Sequence, residues 1–329
     1  QRQMCIRDRP TGTMENKAKS QTFKYEHSWS ITQTLDKLIE ALREGWDISI
    51  STSGSTGAPK EILLPASAII FNARNSNEFL GAKPGDRWSL LLSPEHTAGL
   101  NVLVRSIELG TSPVTEKESA DFTAIVPTQL FRALNGDEKL LKHLQGCRAV
   151  LVGGAAADVD LLENAKAAGI NCITTYGMTE TSGGCIYDGT PLPGVEVRIG
   201  ETIELKGPML ARVELKDGYF VTSDLGKIEN GKLIVLGRAD DVINSGGKKV
   251  SLSKVEMALG ESFAAFGTEN SEWGASLNIA TTSQMSDEEI QLVLSVKFGV
   301  KALQIYRVSE IPRTSLEKID RQALGRLSK

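Results

Sequence analysis

The run Ser51-Thr52-Ser53-Gly54-Ser55-Thr56-Gly57-Ala58-Pro59-Lys60 gathers hydroxyls, two glycines and one cation into a single turn. That composition suits phosphate. Gly54 and Gly57 free the backbone to aim N–H groups at an anion, Ser53, Ser55 and Thr56 add hydroxyl donors, and Lys60 adds a point charge. A Walker-type loop is excluded, because Lys60 follows Pro59 and precedes Glu61 instead of completing a Gly-Lys-Ser/Thr ending. A flexible Ser/Gly linker is the competing reading, and the motif alone leaves both open.

The surrounding pattern shows what would position such a loop. Asp47-Ile48-Ser49-Ile50 alternates polar and apolar residues like a strand. From Asp47 to about Ile173, strand-like and helix-like runs alternate, as in a layered α/β core. Phe122 to Val126 reads as a strand halted at Pro127, with Thr128 to Leu134 helical behind it. Ala149 to Val152 is an apolar strand ending at Gly153-Gly154; Asp158 then caps a helix that stops at Gly169, and Cys172-Ile173-Thr174 restarts the sheet. Beyond Pro193 the pattern turns β-rich, with expected strands at Val195–Ile199, Ile203–Leu205, Arg212–Leu215 and Leu233–Leu236, and a tight hairpin at Asn230-Gly231. Ser253-x-x-Glu256 and Ser286-x-x-Glu289 both read as capping boxes opening helices.

Four further segments follow the loop in a set order: Thr175-Tyr176-Gly177-Met178-Thr179-Glu180, Tyr219 to Gly226, Gly237-Arg238-Ala239-Asp240-Asp241 with Ser245-Gly246-Gly247, and Ile311-Pro312-Arg313-Thr314 with Lys318-Ile319-Asp320-Arg321. Together with the loop they resemble the adenylate-forming acyl-CoA synthetase superfamily over roughly Asp47 to Leu324, and five ordered motifs are far more specific than one. Within it, Ser93 to Leu100, Asn101 to Ser106, Val126 to Leu130 and Gly183 to Gly189 resemble the o-succinylbenzoate:CoA ligases of menaquinone biosynthesis, in a compact form.

The resemblance implies an α/β adenylate-forming enzyme fold: a large layered α/β N-terminal domain with a β-rich end (residues 21–239, shortened), plus a small mobile α+β C-terminal lid (residues 240–329). It implies a two-step ligation using ATP, Mg2+ and coenzyme A. Ser53, Gly54, Ser55, Thr56, Gly57 and Lys60 would hold phosphates; Gly153, Gly154, Ala155, Thr175, Tyr176 and Gly177 would flank the adenine; Asp224 would accept the ribose hydroxyls, with Arg238 reaching ribose or phosphates. Thr179 would meet the α-phosphate, Glu180 the magnesium, and Lys318 both the substrate carboxylate and the phosphate, while Asp240 would be the pivot. His96 would gate the acyl pocket and not act as a base, with Gln129 and Gly183 on the substrate.

The spare carboxylate of o-succinylbenzoate needs a cation, and Arg105 is the candidate. Asn101, Arg105 and Glu108 share one helical face, so a solvated arginine is the alternative. Glu61 after the loop lysine and Glu317 before Lys318 depart from the family pattern. They keep open a nucleotide-binding relative that no longer ligates, beside an adenylating enzyme for another aryl acid.

Composition narrows the field. With 37 Lys plus Arg against 41 Asp plus Glu, the net charge of -4 leaves no electrostatic footprint for nucleic acid. Apolar runs such as Ile62 to Ile70 fall short of the ~20 residues a membrane span needs. Cys5, Cys147, Cys172 and Cys185 form no C-x-x-C pair, so reduced thiols, a cytoplasmic setting and small-molecule partners are expected, with a homodimer possible. Residues 1–20 read as a non-native or disordered leader, with Met14 a candidate start and Gln1 to Arg9 like translated adaptor sequence.

Overall fold

The computed structural model describes residues 21–53, 59–260, 262–270, 274–313 and 319–328. The leader, Gly54 to Gly57, Glu317 and Lys318 therefore lie outside the described residues. The chain divides into two compact units: residues 1–198, 204–221 and 228–234 form one, and 199–203, 222–227 and 235–329 the other.

In the first unit the centre is a six-stranded sheet in the order β4 (Trp88–Ser89), β5 (Phe122–Ile125), β6 (Ala149–Val152), β7 (Cys172–Met178), β8 (Gly183–Tyr187) and β9 (Thr190–Pro191). β4 to β7 are parallel, and β7, β8 and β9 are antiparallel. β5 and β6 are buried along their whole length, as strands of a parallel sheet should be, with Thr123 the one polar residue and its hydroxyl donating to Ser89 O. A second sheet joins β1 (Thr22–Lys24), β2 (Asp47–Ser53) and β3 (Pro59–Pro65), and β2 and β3 pair from Asp47↔Pro65 to Ser53↔Pro59. The strands that flank the phosphate-loop candidate thus form an antiparallel pair.

Helices α1 (Ile31–Glu44), α2 (Ala66–Phe79) and α3 (Thr97–Glu108) share one core with β2 and β3, built on Leu38, Ile48, Leu64, Ile69, Leu100 and Leu103. α4 (Pro127–Leu134), α5 (Glu138–Gly146) and α6 (Val159–Ala167) pack on the other strands through Leu130, Leu144, Val150 and Ala165. Asp158 caps α6 by accepting from Asp160 N–H, and Gly169 sits at φ +83°, as the sequence indicated.

Smaller sheets follow. β10 (Glu196–Ile199), β11 (Ile203–Lys206) and β12 (Phe220–Val221) form one; β13 (Asp224–Glu229) and β14 (Lys232–Arg238) form a hairpin across Asn230-Gly231, whose φ values of +52° and +75° are those of a tight primed turn. The expected strand at Arg212–Leu215 does not form. Only Arg212 N–H reaches β3, at Leu63 O, and its side chain is committed to the buried Asp47 carboxylate at 2.6 Å.

The second unit packs α7 (Leu252–Leu259), α8 (Asp287–Phe298) and α9 (Arg321–Leu324) with a sheet of β15 (Val242–Ser245), β16 (Lys248–Ser251), β17 (Phe263–Asn270), β18 (Gly274–Thr281) and β19 (Gln304–Arg307). α8 begins with the expected reciprocal Ser286/Glu289 cap. At α7 the expectation fails: Ser251, not Ser253, is the cap, because the Ser253 N–H and hydroxyl both donate to Asp241. Glu256, freed from capping, lies in α7 against Arg321, which donates to both its oxygens at 3.0 and 2.9 Å. Among the described residues no helix is long and apolar enough to cross a membrane.

Burial pushes the Glu256 carboxyl up to about 7; Arg321 and the Ala265 N–H pull it back, and Asp241 adds to the rise. A carboxyl raised on folding contributes stability that is complete below its ordinary value of 4.5 and lost as pH climbs through about 7. Thermal unfolding of wild type should therefore lose ground to Glu256→Gln across that window and run parallel to it above, and parallel curves throughout would refute the assignment.

Candidate active site

Each unit carries part of the expected residue set. In the first, β7 runs beside β8 with a register shift between Tyr176 and Gly177. Beyond the shift, Gly177 faces Gly184 and Met178 faces Gly183. A Cβ on Gly177 would stand 2.1 Å from Gly183 O, so side chains are excluded where the two strands close on each other. One strand over, Gly153 leaves room for the Thr175 hydroxyl, which would lie 2.2 Å from a Cβ there. Gly154 follows at φ +80°, exposed with Ala155 at the carboxyl end of β6. Carboxyl ends of parallel strands are where open α/β sheets bind ligands.

Between β7 and β8 the chain makes a short 3-10 turn at Thr179–Thr181, followed by Ser182 in the left-handed region at φ +52° and Gly183 at φ +104°. The turn is held from inside and from outside. Met178 N–H donates to the Thr181 hydroxyl at 2.9 Å, and that hydroxyl donates to Gly183 O at 2.8 Å. From α3, Thr97 Oγ1 donates to Thr179 Oγ1 at 3.0 Å, and Asn101 Nδ2 donates to Ser182 O at 2.7 Å. From α2, Asn72 Nδ2 donates to Gly184 O at 2.9 Å. Glu180 is half-buried and its carbonyl accepts from Ala211 N–H; among the described residues nothing pairs with its carboxylate. A single uncommitted carboxylate suits magnesium, which keeps waters and takes its other ligands from phosphates.

His96 is the residue before α3, half-buried and extended, so it adjoins Thr97 and hence Thr179. Gly99 permits this entry, since a Cβ there would meet Ser93 O at 2.1 Å. Lys60 is exposed on β3 opposite Thr52. Glu61 accepts a hydrogen bond from the Ser49 hydroxyl, which ties its charge to the hairpin stem. Gln129 Oε1 accepts from Val126 N–H at 3.1 Å, closing the start of α4, and its Nε2 donates to Leu91 O at 3.0 Å, tying α4 to the segment after β4.

Arg105 is 3% exposed, which overturns the solvated alternative. Asn101 is buried too, and Glu108 pairs with Arg74. The Arg105 guanidinium lies 4.9 Å over the Trp88 ring, donates from Nη2 to Tyr187 OH at 3.2 Å and leaves Nε without a partner. No carboxylate pairs with it among the described residues. Burial lowers its pKa, and the Tyr187 oxygen opposes that. Asn72, Ser76, Asn77, Trp88, Thr97 and Tyr187 were not foreseen as site residues. The available signal was a polar residue set in an apolar run, as Asn72 is in Ala68-Ile69-Ile70-Phe71-Asn72-Ala73.

In the second unit, Asp224 is buried, and its N–H donates to Thr222 Oγ1 at 3.0 Å while that hydroxyl donates to Ile203 O at 2.8 Å. Arg238 Nη1 lies 3.7 Å from Asp224 Oδ1, so the ribose and hinge candidates do meet. Asp240 lies in a 3-10 turn, Ala239–Asp241. The segment carrying Lys318 is framed by an Arg313↔Ile319 bridge and by Asp320 N–H donating to Pro312 O at 2.8 Å.

The strand order, the glycine-lined end of β6 and the threonine-rich turn after β7 define a nucleotide-handling α/β enzyme, and the signature of the AMP-binding enzyme family matches residues 48–216. The chain belongs to the AMP-binding enzyme family. It is 36% identical to the probable 2-succinylbenzoate–CoA ligase of Mycobacterium tuberculosis, covering 88% of each chain. Among solved structures it is similar to o-succinylbenzoate CoA synthetase from Bacillus subtilis in complex with the acyl-adenylate intermediate (TM-score 0.74, 24% identity, 84% of this chain and 68% of that one). ATP-bound MatB from Rhodopseudomonas palustris also matches, with TM-score 0.74 at 21% identity, over 86% of this chain and 69% of that one. These likenesses give the adenylate-forming fold.

A methyl group at Gly183 would fall 2.5 Å from Asn101 Nδ2 on a backbone that L side chains rarely adopt. Gly183→Ala should lower unfolding stability by about 1–3 kcal/mol, read from a urea titration; an unchanged midpoint would show that the turn is not held as described.

Proposed function

We propose that this chain is an AMP-forming acid–thiol ligase that activates o-succinylbenzoate with ATP and transfers the acyl group to coenzyme A. The single observation that carries the substrate is Arg105, a buried cation with no carboxylate partner among the described residues and a donor left over. It lies on the α3 face that also carries Thr97 and Asn101, two helical turns or about 12 Å from the Thr97–Thr179 contact. An aromatic dicarboxylate offers one carboxylate to each end of that row.

In the first half-reaction a carboxylate oxygen bonds to the α-phosphorus as the bond to pyrophosphate breaks. In the second, the thiolate sulfur bonds to the acyl carbon and AMP leaves. Thr179, fixed by Thr97, meets the α-phosphate; Tyr176 and the Gly153-Gly154-Ala155 edge flank the adenine; Asp224 takes the ribose hydroxyls. Glu180 would hold the magnesium, which neutralises charge on the phosphates when bound. Lys318 supplies the cation where carboxylate and α-phosphate crowd together, and Asp240 is the pivot between the half-reactions; both assignments rest on the motif order.

Pyrophosphate release from ATP and magnesium should require o-succinylbenzoate and yield its CoA thioester. Release confined to another aryl acid would refute the substrate, and binding of ATP without turnover would refute the ligase. Loss of a hydrogen bond to a charged group costs about 1.5–3 kcal/mol, so Arg105→Ala should lower kcat/KM for o-succinylbenzoate roughly 10- to 150-fold with ATP affinity retained.

Lys318→Ala should abolish adenylate formation while supplied o-succinylbenzoyl-adenylate still yields thioester, because thiol attack expels AMP and has less use for that cation. Asp240→Pro, which fixes φ at the pivot, should do the reverse. Equal loss of both halves in both variants would refute the division of labour.

A further inference from the structure

An arginine side chain is long and rotamer-rich, and placing one where it can meet a carboxylate requires something that restrains it. An acidic partner would restrain it and also neutralise it. Here the restraint is neutral throughout. The guanidinium lies over the Trp88 ring and donates from Nη2 to the Tyr187 hydroxyl. That hydroxyl shares a hydrogen bond with the Ser76 hydroxyl on α2, and Phe79 meets the Tyr187 ring edge-on at 5.1 Å.

Trp88 is fixed in turn: its Nε1 donates to Asn77 Oδ1 at 3.1 Å, and Asn77 Nδ2 donates to Arg105 O at 3.1 Å. The contacts close a ring through α2, α3, β4 and β8. Tyr187, Ser76 and Trp88 are all fully buried, so the ring is a built interior feature. Within it, Arg105 Nε is buried without a partner.

We propose that Tyr187 is a positioning residue for the acyl end of this site: anchored by Ser76, its hydroxyl holds the Arg105 guanidinium over Trp88 so that Nε faces the second carboxylate of an aromatic dicarboxylate. The assignment rests on the functional reading above and deepens it. Tyr187 does not touch substrate; it acts through Arg105, and because a phenol carries no charge at neutral pH it leaves the full cationic charge for the ligand. Tyr187 thereby selects for dicarboxylates over monocarboxylates of the same shape.

The test is a selectivity ratio. kcat/KM is measured for o-succinylbenzoate and for β-benzoylpropionate, the same molecule without its ring carboxylate, in wild type and in Tyr187→Phe. The ratio of the first to the second should fall roughly 10-fold in the variant, with the loss in KM for the dicarboxylate. A general packing lesion lowers both substrates together and leaves the ratio unchanged, and that result would overturn the proposal.

Ser76→Ala removes only the anchor of the Tyr187 hydroxyl and should lower the ratio in the same direction by a smaller factor. It serves as the deciding variant if Tyr187→Phe does not fold, and a wild-type ratio in Ser76→Ala would then count against the proposal. Failure of the functional reading is separately visible, because wild type itself would then show no o-succinylbenzoate-dependent pyrophosphate release.

Discussion

The chain between β7 and β8 reverses in a space too small for ordinary residues, and most of the first unit is arranged around that constraint. The strands approach until Gly177 and Gly183 O exclude a Cβ, and the turn passes through two residues of positive φ with Thr181 and Ser182 fully buried. Buried turn carbonyls left without donors would each cost about 1–3 kcal/mol. Asn72 and Asn101 supply the donors from two helices that pack into the same apolar core, and this fixes how α2 and α3 lie on the sheet. The position of Thr179 follows from the same contacts, through Thr97.

Along α3, residues four apart face one way, so the helix that pins the turn with Thr97 and Asn101 must bring residue 105 to the far end of β8. What stands there is a cation inside a neutral cradle. Burying an unpaired charge is costly, and the site lessens that cost with a π-face and a phenol where a carboxylate would have removed the charge altogether. Stability and recognition pull in opposite directions at this point: an acidic partner would strengthen the apo fold and fill the valence that the ligand needs.

Much of the sheet was legible because it is written in local signals. β5 and β6 are largely apolar runs closed by proline and by glycine, Asp158 and Ser286 cap their helices, and Asn230-Gly231 turns its hairpin. The misses arise where a distant partner decides. Ser253 looked like a cap, but Asp241 claims both its donors, and Ser251 two residues earlier takes the role. Arg212 to Leu215 has strand-like residue types, yet its one arginine is drawn to a carboxylate far back in the chain, Asp47. Gln129 sits in a motif that suggested substrate, while its two polar ends are taken by backbone, one at the start of α4 and the other at Leu91 O.

Arg105 shows the same limit in its sharpest form. By spacing alone, Asn101, Arg105 and Glu108 make a polar stripe on an otherwise apolar helix, and such a stripe ordinarily faces water. The stripe faces inward here because α2, β8 and the turn before it present partners: Ser182 O accepts from Asn101, the Tyr187 hydroxyl accepts from Arg105, and Arg74 donates to Glu108 as its counterion. A helix can bury polar groups on one face only if its neighbours answer them one by one, so each group left unanswered is informative. Asn101 Nδ2 and Glu108 have their partners; Asn101 Oδ1 is a buried acceptor without one, and the guanidinium is answered on Nη2 and over its face but not at Nε. The unfilled donor falls on the charged member of the row, the one group that an anionic ligand could satisfy.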